Sequence, residues 1–437
     1  MLDLLLNHLT VVTMDDDDRV LKDACIGVRD SRIAFIGAGA PAEPAARTLD
    51  CTGKIAMPGL INTHAHAAMS LMRGYADDYV LQEWLNDHVF PIEAKLTPDD
   101  VYLGTQLTLA EMLATGTVSL TDMYMHLPQM ARAVEDAGLY GNFSNAGMCF
   151  DESSYCFDTD SVTKQNREVL ARWHNADGGR LKLDASIHAE YTSSAPLWQW
   201  MANYAQAHGL RMHVHISETQ SEHADSLSRH GLTPIQTLDQ YGVWENGGIA
   251  AHCVYTTPGD WALMAAKGVS AAHNPYSNLK LGSGIAPVPA MLRAGVNVSL
   301  GTDGVSSHNS TDPFADLKLA AILHNGVARD PLAVTARQAL EMATVNGARA
   351  LGRADTGVIA AGKTADLILV DFTAPNLIPC HDVEENLVFS AHGSNMVMNM
   401  ARGRVIYENG TFLTLDLEKI RAEVEHYALP HMFGDKA

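Results

Sequence analysis

The chain has 437 residues, 47% of them hydrophobic, enough to bury a sizeable core in two domains or in one large domain with an appendage. Lys and Arg total 30 against 51 Asp and Glu, a formal net charge of −21 that repels phosphate backbones and anionic headgroups and so argues against nucleic-acid and membrane-surface roles. Six scattered cysteines without a C-x-x-C pair argue against a disulfide framework and fit a reducing cytoplasm, and no apolar run approaches the roughly 18 residues that span a bilayer.

The first 55 or so residues read as short strands with turns: Asp3 to Val12, Asp23 to Arg29 and Ser31 to Gly37. The acidic run Asp15 to Asp18 reads as a solvated turn. From about residue 56 the pattern alternates apolar strands with amphipathic helices. A first strand follows the apolar run Ile55-Ala-Met-Pro-Gly-Leu-Ile-Asn-Thr63 and ends at His64, with His64-Ala-His66 at its C-terminal end. Seven more follow at Val118 to Met123, Tyr140 to Ala146, Leu181 to His188, Leu210 to Ile216, Gly248 to His252, Val269 to His273 and Val296 to Gly301. Helical patterns lie between them, among them Pro98 to Thr115, Leu197 to His208 and Pro258 to Lys267. Ala365 to Asp371, Asn395 to Met400 and Arg404 to Tyr407 return to strand character. The expected fold class is therefore α/β: a TIM-like (β/α)8 barrel over 56–362, flanked by a small β-sandwich domain built from both chain ends, 1–55 and 363–437.

In such a barrel, chemistry collects at the C-terminal ends of the strands. These ends carry His64 and His66 (first), His188 (fourth), His215 (fifth), His252 (sixth), His273 and Asn274 (seventh) and Asp303 (eighth). His64 and His66 are two apart in a strand, so both imidazoles face one spot. One histidine at a strand end is usually structural, but a whole set converging on one mouth is hard to explain that way. A hydrolytic metal site wants about three nitrogens, an oxygen ligand and an open position for water. His64, His66 and His215 supply the nitrogens and Asp303 the carboxylate. One divalent ion is expected, because the end of strand four, His188-Ala-Glu-Tyr191, offers no bridging ligand and Lys182 sits at its start. Zinc is the first choice, although this donor set also accepts iron or manganese.

In Met212-His-Val-His-Ile-Ser-Glu218, His213 reads as a barrel-interior residue. Glu218 lies where strand has become loop, beside the metal without ligating it, suited to moving protons. His252 is either a core histidine or an electrostatic partner of the attacking water. Cys253 points to the opposite face. The chain has no H-x-E with P-C-x-x-C, no H-E-x-x-H, and no third glycine after Gly37 and Gly39 to complete a dinucleotide fingerprint.

The stretches PGLINTHAH, LQEWLNDHVFPIE (Leu81 to Glu93), HVHISET, AAHCV, HNPYSNLKLGSG (His273 to Gly284) and LGTDG together resemble the amidohydrolase superfamily. Within it they are most similar to the branch of 5-methylthioadenosine/S-adenosylhomocysteine deaminases. The resemblance implies metal ligation by His64, His66, His215 and Asp303, a proton shuttle at Glu218 and a water-orienting role for His252. It also implies that Glu93 accepts hydrogen bonds from ribose hydroxyls, with His188 and Trp84 facing the substrate. Two features depart from that branch: Glu190 places an extra carboxylate near the mouth, and the loop 151–164 lacks an arginine to grip a homocysteine carboxylate. The expected activity is hydrolytic deamination of a 5'-modified adenosine to the inosine analogue and ammonia, by a cytoplasmic homo-oligomer acting on a small molecule. The rivals are displacement of an amino group or halide from another heteroaromatic ring (a pterin, an oxidised purine, an s-triazine) and a non-catalytic metal-binding barrel.

Overall fold

The computed structural model describes residues 1–434 other than 18, 154, 155 and 158. Asp18 of the acidic run and Ser154, Tyr155 and Asp158 of the 151–164 loop therefore lie outside the described residues. Asp15, at the start of that run, accepts from Thr13 at 2.8 Å and from Arg19 Nε at 3.0 Å.

Five strands open the chain: β1 (Leu2–Val12), β2 (Val20–Arg29), β3 (Arg32–Ala38), β4 (Ala45–Asp50) and β5 (Lys54–Pro58). The middle of the chain supplies β6 (Leu60–His66), β7 (Thr117–Tyr124), β8 (Tyr140–Asn145), β9 (Leu181–Leu183) and β10 (Ala185–Ala189). After these come β11 (Met212–Ile216), β12 (Gly248–His252), β13 (Val269–His273), β14 (Val298–Leu300) and the two-residue β15 (Asp303–Gly304). Near the other end lie β16 (Leu367–Asp371), β17 (Met396–Ala401), β18 (Arg404–Glu408) and β19 (Thr411–Phe412).

Strands from both ends of the chain share one nine-stranded sheet, ordered β19-β18-β17-β16-β5-β1-β2-β3 with β4 beside β1. Alternation on β16 shows how this sheet is used. Leu367 and Leu369 join a core with Leu6, Val11 and Ile26, while Ile368 and Val370 join the main core of the molecule. Asn399 on β17 ties the sheet to the helical layer, donating to the carbonyls of Leu113 and Thr117 at 3.1 and 2.9 Å.

The middle strands form two parallel five-stranded sheets, β15-β6-β7-β8-β9 and β10-β11-β12-β13-β14. β7 is buried along its whole length, as a parallel strand covered on both faces must be. Helices follow the strands, with ends written in the sequence. Thr97 and Asp100 form a reciprocal capping box before Pro98, and the helix Pro98–Thr115 stops at Gly116, whose φ of 99° suits a left-handed terminus.

Two expected single strands are each divided. The fourth breaks at buried Asp184, whose carboxylate accepts from Asn142 Nδ2 at 2.8 Å. The eighth stops at Leu300 and resumes at Asp303, whose φ is 63°. β4 and the helical segment from Leu417 to Phe433 have no counterpart among the expected elements. No helix among the described residues is long and apolar enough to cross a membrane.

Candidate active site

The C-terminal ends of the parallel strands converge. β6 ends on His64 and His66, β11 carries His215, β12 ends on His252, and Asp303 opens β15. His64 Nε2 and His66 Nε2 each lie 3.1 Å from Asp303 Oδ1, and His215 Nε2 lies 3.3 Å from His66 Nε2. One ligand atom each from His64, His215, His252 and Asp303 falls within 4.8 Å of all the others. His252 thus stands in this foursome where the expected ligand His66 does not, although His66 Nε2 also approaches Asp303. The backbone is shaped for this convergence: Ser217, His252 and Asp303 all adopt positive φ, a conformation that costs a non-glycine residue energy and concentrates at functional sites.

The histidine ring orientations are set from behind. His66 Nδ1 donates to the Met123 carbonyl at 2.5 Å and His215 Nδ1 to the His188 carbonyl at 2.7 Å, which turns each Nε2 toward the cluster. Burial drives the His64 pKa down to about 3, so that ring is neutral. Burial also opposes a proton on His66, yet the Asp303 carboxylate beside it wins and raises its pKa to about 9. Burial works to raise the Asp303 carboxyl, but the facing His64 and His66 hold it well below its usual range. Asp303 Oδ2 is held by the hydroxyls of Ser277 and Ser307 at 2.5 and 2.8 Å. His64 Nε2 is buried and makes no hydrogen bond of acceptable angle despite its 3.1 Å approach to Asp303. A buried His64 lone pair without a donor, beside a carboxylate and the ring nitrogens of His66 and His215, is a donor set that fits a divalent cation, which would displace the proton that Asp303 holds on His66.

Around the cluster lies one cavity. His188, Glu218, His252 and Asp303 line it on the polar side, Glu93 and Tyr124 on another wall, and Trp84, Leu85, Phe90, Met125, Met148 and Leu281 make it apolar elsewhere. Glu218 is buried. Its Oε2 lies 3.7 Å from His252 Nε2, and its Oε1 accepts from Ser283 at 3.1 Å. Burial pushes the Glu218 carboxyl above the usual carboxylate range. Glu222, one helical turn on, accepts the backbone N–H groups of Ser217 and Glu218, both at 2.7 Å, and so fixes the turn that presents Glu218. His252 Nδ1 faces Asn278 Oδ1 at 2.8 Å, turning its Nε2 toward the cavity.

Glu93 and Trp84, which look exposed or ordinary by pattern, are both buried at the cavity wall. His188 also lines it, its Nδ1 2.9 Å from Thr192 Oγ1. Glu190 is not at the mouth as expected. It turns away, itself buried, to pair with the partly exposed Arg229 at 2.6 Å and His230 at 2.9 Å, and its neighbour Tyr191 lines the cavity instead. Lys182 is likewise remote, donating to the Gly352 carbonyl at 2.8 Å. Buried Cys253 lies with its Sγ 3.4 Å from the Ala250 carbonyl. Sequence reasoning did not single out Tyr124, Ser307, Ser283, Asn278 or Glu222. Asn278 and Ser283 do stand inside the His273 to Gly284 stretch, whose density of polar residues after a strand was the available signal.

Comparison with known proteins places these features in context. The model of the Amidohydrolase family matches residues 55–406. A 5'-deoxyadenosine deaminase of Methanosarcina mazei is 40% identical over 429 residues, covering 98% of each chain. A 5-methylthioadenosine/S-adenosylhomocysteine deaminase of Dictyoglomus thermophilum is 43% identical over 380 residues, 87% of this chain and 88% of that one. Among solved structures, an adenosine deaminase from Xanthomonas campestris with bound zinc superposes with a TM-score of 0.92 at 32% identity, covering 98% of both chains. The atrazine chlorohydrolase of Arthrobacter aurescens TC1 complexed with zinc gives 0.90 at 26% identity, covering 98% of this chain and 99% of that one.

Proposed function

The chain belongs to the amidohydrolase family, and we propose that it is a hydrolase that deaminates adenosines altered at the 5' position, releasing ammonia and leaving the inosine analogue. The observation that carries this reading is the sharing of one cavity by a histidine–aspartate cluster, a buried carboxyl at Glu218 and a second buried carboxyl at Glu93. The first two suit attack on a ring carbon, and the third suits a ribose.

We read His64, His66, His215 and Asp303 as the holders of one divalent ion, with zinc supported by the two zinc-bearing structural relatives. When bound, such an ion lowers the pKa of water toward neutrality and so supplies the nucleophile. His252, fixed by Asn278, and Asp303, fixed by Ser277 and Ser307, orient the attacking water toward C6 of the adenine. Glu218 gives a proton to N1, which prevents negative charge from building on the ring, and then assists departure of ammonia. Its burial favours the protonated form needed for that first step. Glu93 accepts the ribose hydroxyls, while Trp84 and His188 bound the nucleoside.

The two parallel sheets are read as halves of a closed (β/α)8 barrel over 56–362, with a β-sandwich from 1–55 and 363–437 beside it. Chain continuity supports closure. Only Asp184 separates β9 from β10, and its N–H pairs back to Phe143 at 2.8 Å while that of Ala185 pairs forward to Arg211 at 2.9 Å. On the other side Gly301 still pairs with His273 at 3.0 Å, and Asp303 already pairs with β6.

The testing experiment is an ammonia-release screen of the zinc-loaded enzyme against adenosine, 5'-deoxyadenosine, 5'-methylthioadenosine, S-adenosylhomocysteine, guanine and an amino-s-triazine. Turnover confined to the adenosine series is expected. A preference for the ribose-free rings overturns the reading.

A further inference from the structure

His66 and His215 have their ring protons placed by a backbone carbonyl, Met123 and His188 respectively. Among the described residues no backbone carbonyl accepts from the His64 ring. Its Nδ1 instead faces Nε2 of His213 at 2.8 Å, and His213 Nδ1 faces Ser144 Oγ at 2.9 Å. Ser144 in turn reaches the Asp122 carbonyl at 3.3 Å. All three side chains are fully buried, on β6, β11 and β8 respectively.

We propose that His213 and Ser144 form a positioning relay that fixes the proton of His64 on Nδ1 and thereby keeps its Nε2 lone pair available to the metal. The direction of the relay is set at its far end. A carbonyl only accepts, so the Ser144 hydroxyl donates to Asp122, and its oxygen is left to accept from His213 Nδ1–H. The proton of neutral His213 is then on Nδ1, and its Nε2 accepts from His64 Nδ1–H. At the near end His64 Nε2 is buried without a hydrogen-bond partner, as expected of a bare ligand nitrogen whose partner is to be a cation. Two side chains thus do for His64 what one carbonyl does for each of His66 and His215. Neither residue lines the cavity, so both are positioning residues.

The proposal rests on the reading of His64 as a metal ligand, and the test separates the two. Zinc affinity is measured by chelator competition for the wild type, His64→Ala, His213→Leu, His213→Gln and Ser144→Ala, with the thermal midpoint of each metal-free protein. His64→Ala should lose tight binding; if it does not, the ligand reading itself fails. His213→Leu should weaken zinc binding about 10- to 100-fold, the usual effect of removing a ligand's hydrogen-bond partner. His213→Gln keeps an acceptor near His64 Nδ1 and should recover most of that loss. Ser144→Ala, which frees the His213 proton to change nitrogens, should give an intermediate loss with the metal-free midpoint unchanged. The relay is overturned if His213→Leu binds zinc as the wild type does while His64→Ala does not. It is equally overturned if the Gln and Leu variants are alike in affinity and alike in lowered metal-free midpoint, since His213 would then only fill space.

Discussion

Tyr124, the last residue of β7, donates its hydroxyl to Glu93 Oε1 across 2.6 Å, joining the helical segment before residue 94 to the parallel sheet. Burial pushes the Glu93 carboxyl up to about 7, against the opposing effects of Tyr124 and His66. One carboxylate oxygen is taken by the phenol, and the other remains for a ligand.

Glu93→Ala should therefore act on recognition. A charged acceptor of hydrogen bonds contributes roughly 1.5 to 3 kcal/mol, so KM for nucleosides should rise about 10- to 100-fold with kcat little changed. Free adenine should be affected far less. Equal losses for nucleoside and free base would show that Glu93 does not meet the ribose.

The same pair predicts a pH dependence. In the proposed role the ionised Glu93 is the acceptor of the ribose hydroxyls, and its pKa is raised to about 7, so the productive form is lost as pH falls through that value. Nucleoside KM should climb on acidification through neutrality in the wild type, and the climb should be absent in Glu93→Gln. A parallel rise in the variant would assign the titration to another group.

His66→Ala removes a donor 3.1 Å from Asp303 Oδ1 and should abolish both bound metal and turnover. Elemental analysis of the purified variant checks this directly. In the wild type, chelation should lower the thermal midpoint as well as the activity. A ligand at 1,000 times its Kd stabilises the fold by about 4 kcal/mol, and that contribution is what removal takes away. Unchanged melting after complete metal removal would contradict a bound ion in the folded enzyme.

Most of the fold's middle was legible because parallel strands covered on both faces are continuous apolar runs, and Gly248–His252, Val269–His273 and the helix Pro98–Thr115 stand where pattern places them. β4 was not, because Ala45–Asp50 is a polar, largely exposed edge whose pairing with β1 comes from partners distant in sequence. The site shows the same division. Strand-end histidines announce themselves by position, whereas Tyr124 matters through a contact with Glu93 that no local spacing encodes. Glu222 was legible in principle, as the acid three residues after the helix cap Thr219. Glu190 misled because its position one residue past a strand end says nothing about which way its side chain turns. Arg229 and His230, forty residues on, decide that.

Glu190→Gln therefore predicts a change in stability without one in catalysis. The substitution keeps size but uncouples a buried carboxylate from Arg229 and His230. Arg229 is 45% exposed, so solvent screens the loss and a destabilisation of only about 1 kcal/mol is expected. Thermal melting measures it, and kcat/KM for every substrate should stay at the wild-type value. A change in preference between neutral and carboxylate-bearing 5' groups would return Glu190 to the cavity mouth.

Glu218→Gln is the sharpest test of the proposed chemistry. Glutamine preserves the reach to Ser283 and the volume beside His252, but it has no proton to give to N1. Zinc content and KM should survive, while kcat falls on the order of 10² to 10⁴, the usual contribution of general acid–base catalysis. Glu222→Gln should give a smaller loss, since the amide can still accept one of the two N–H groups that fix the turn at Ser217 and Glu218. The two variants separate proton transfer from positioning. Loss of metal from Glu218→Gln with full activity after re-metallation would make Glu218 a neighbour that holds a ligand in place, and the protonation step would have to be reassigned.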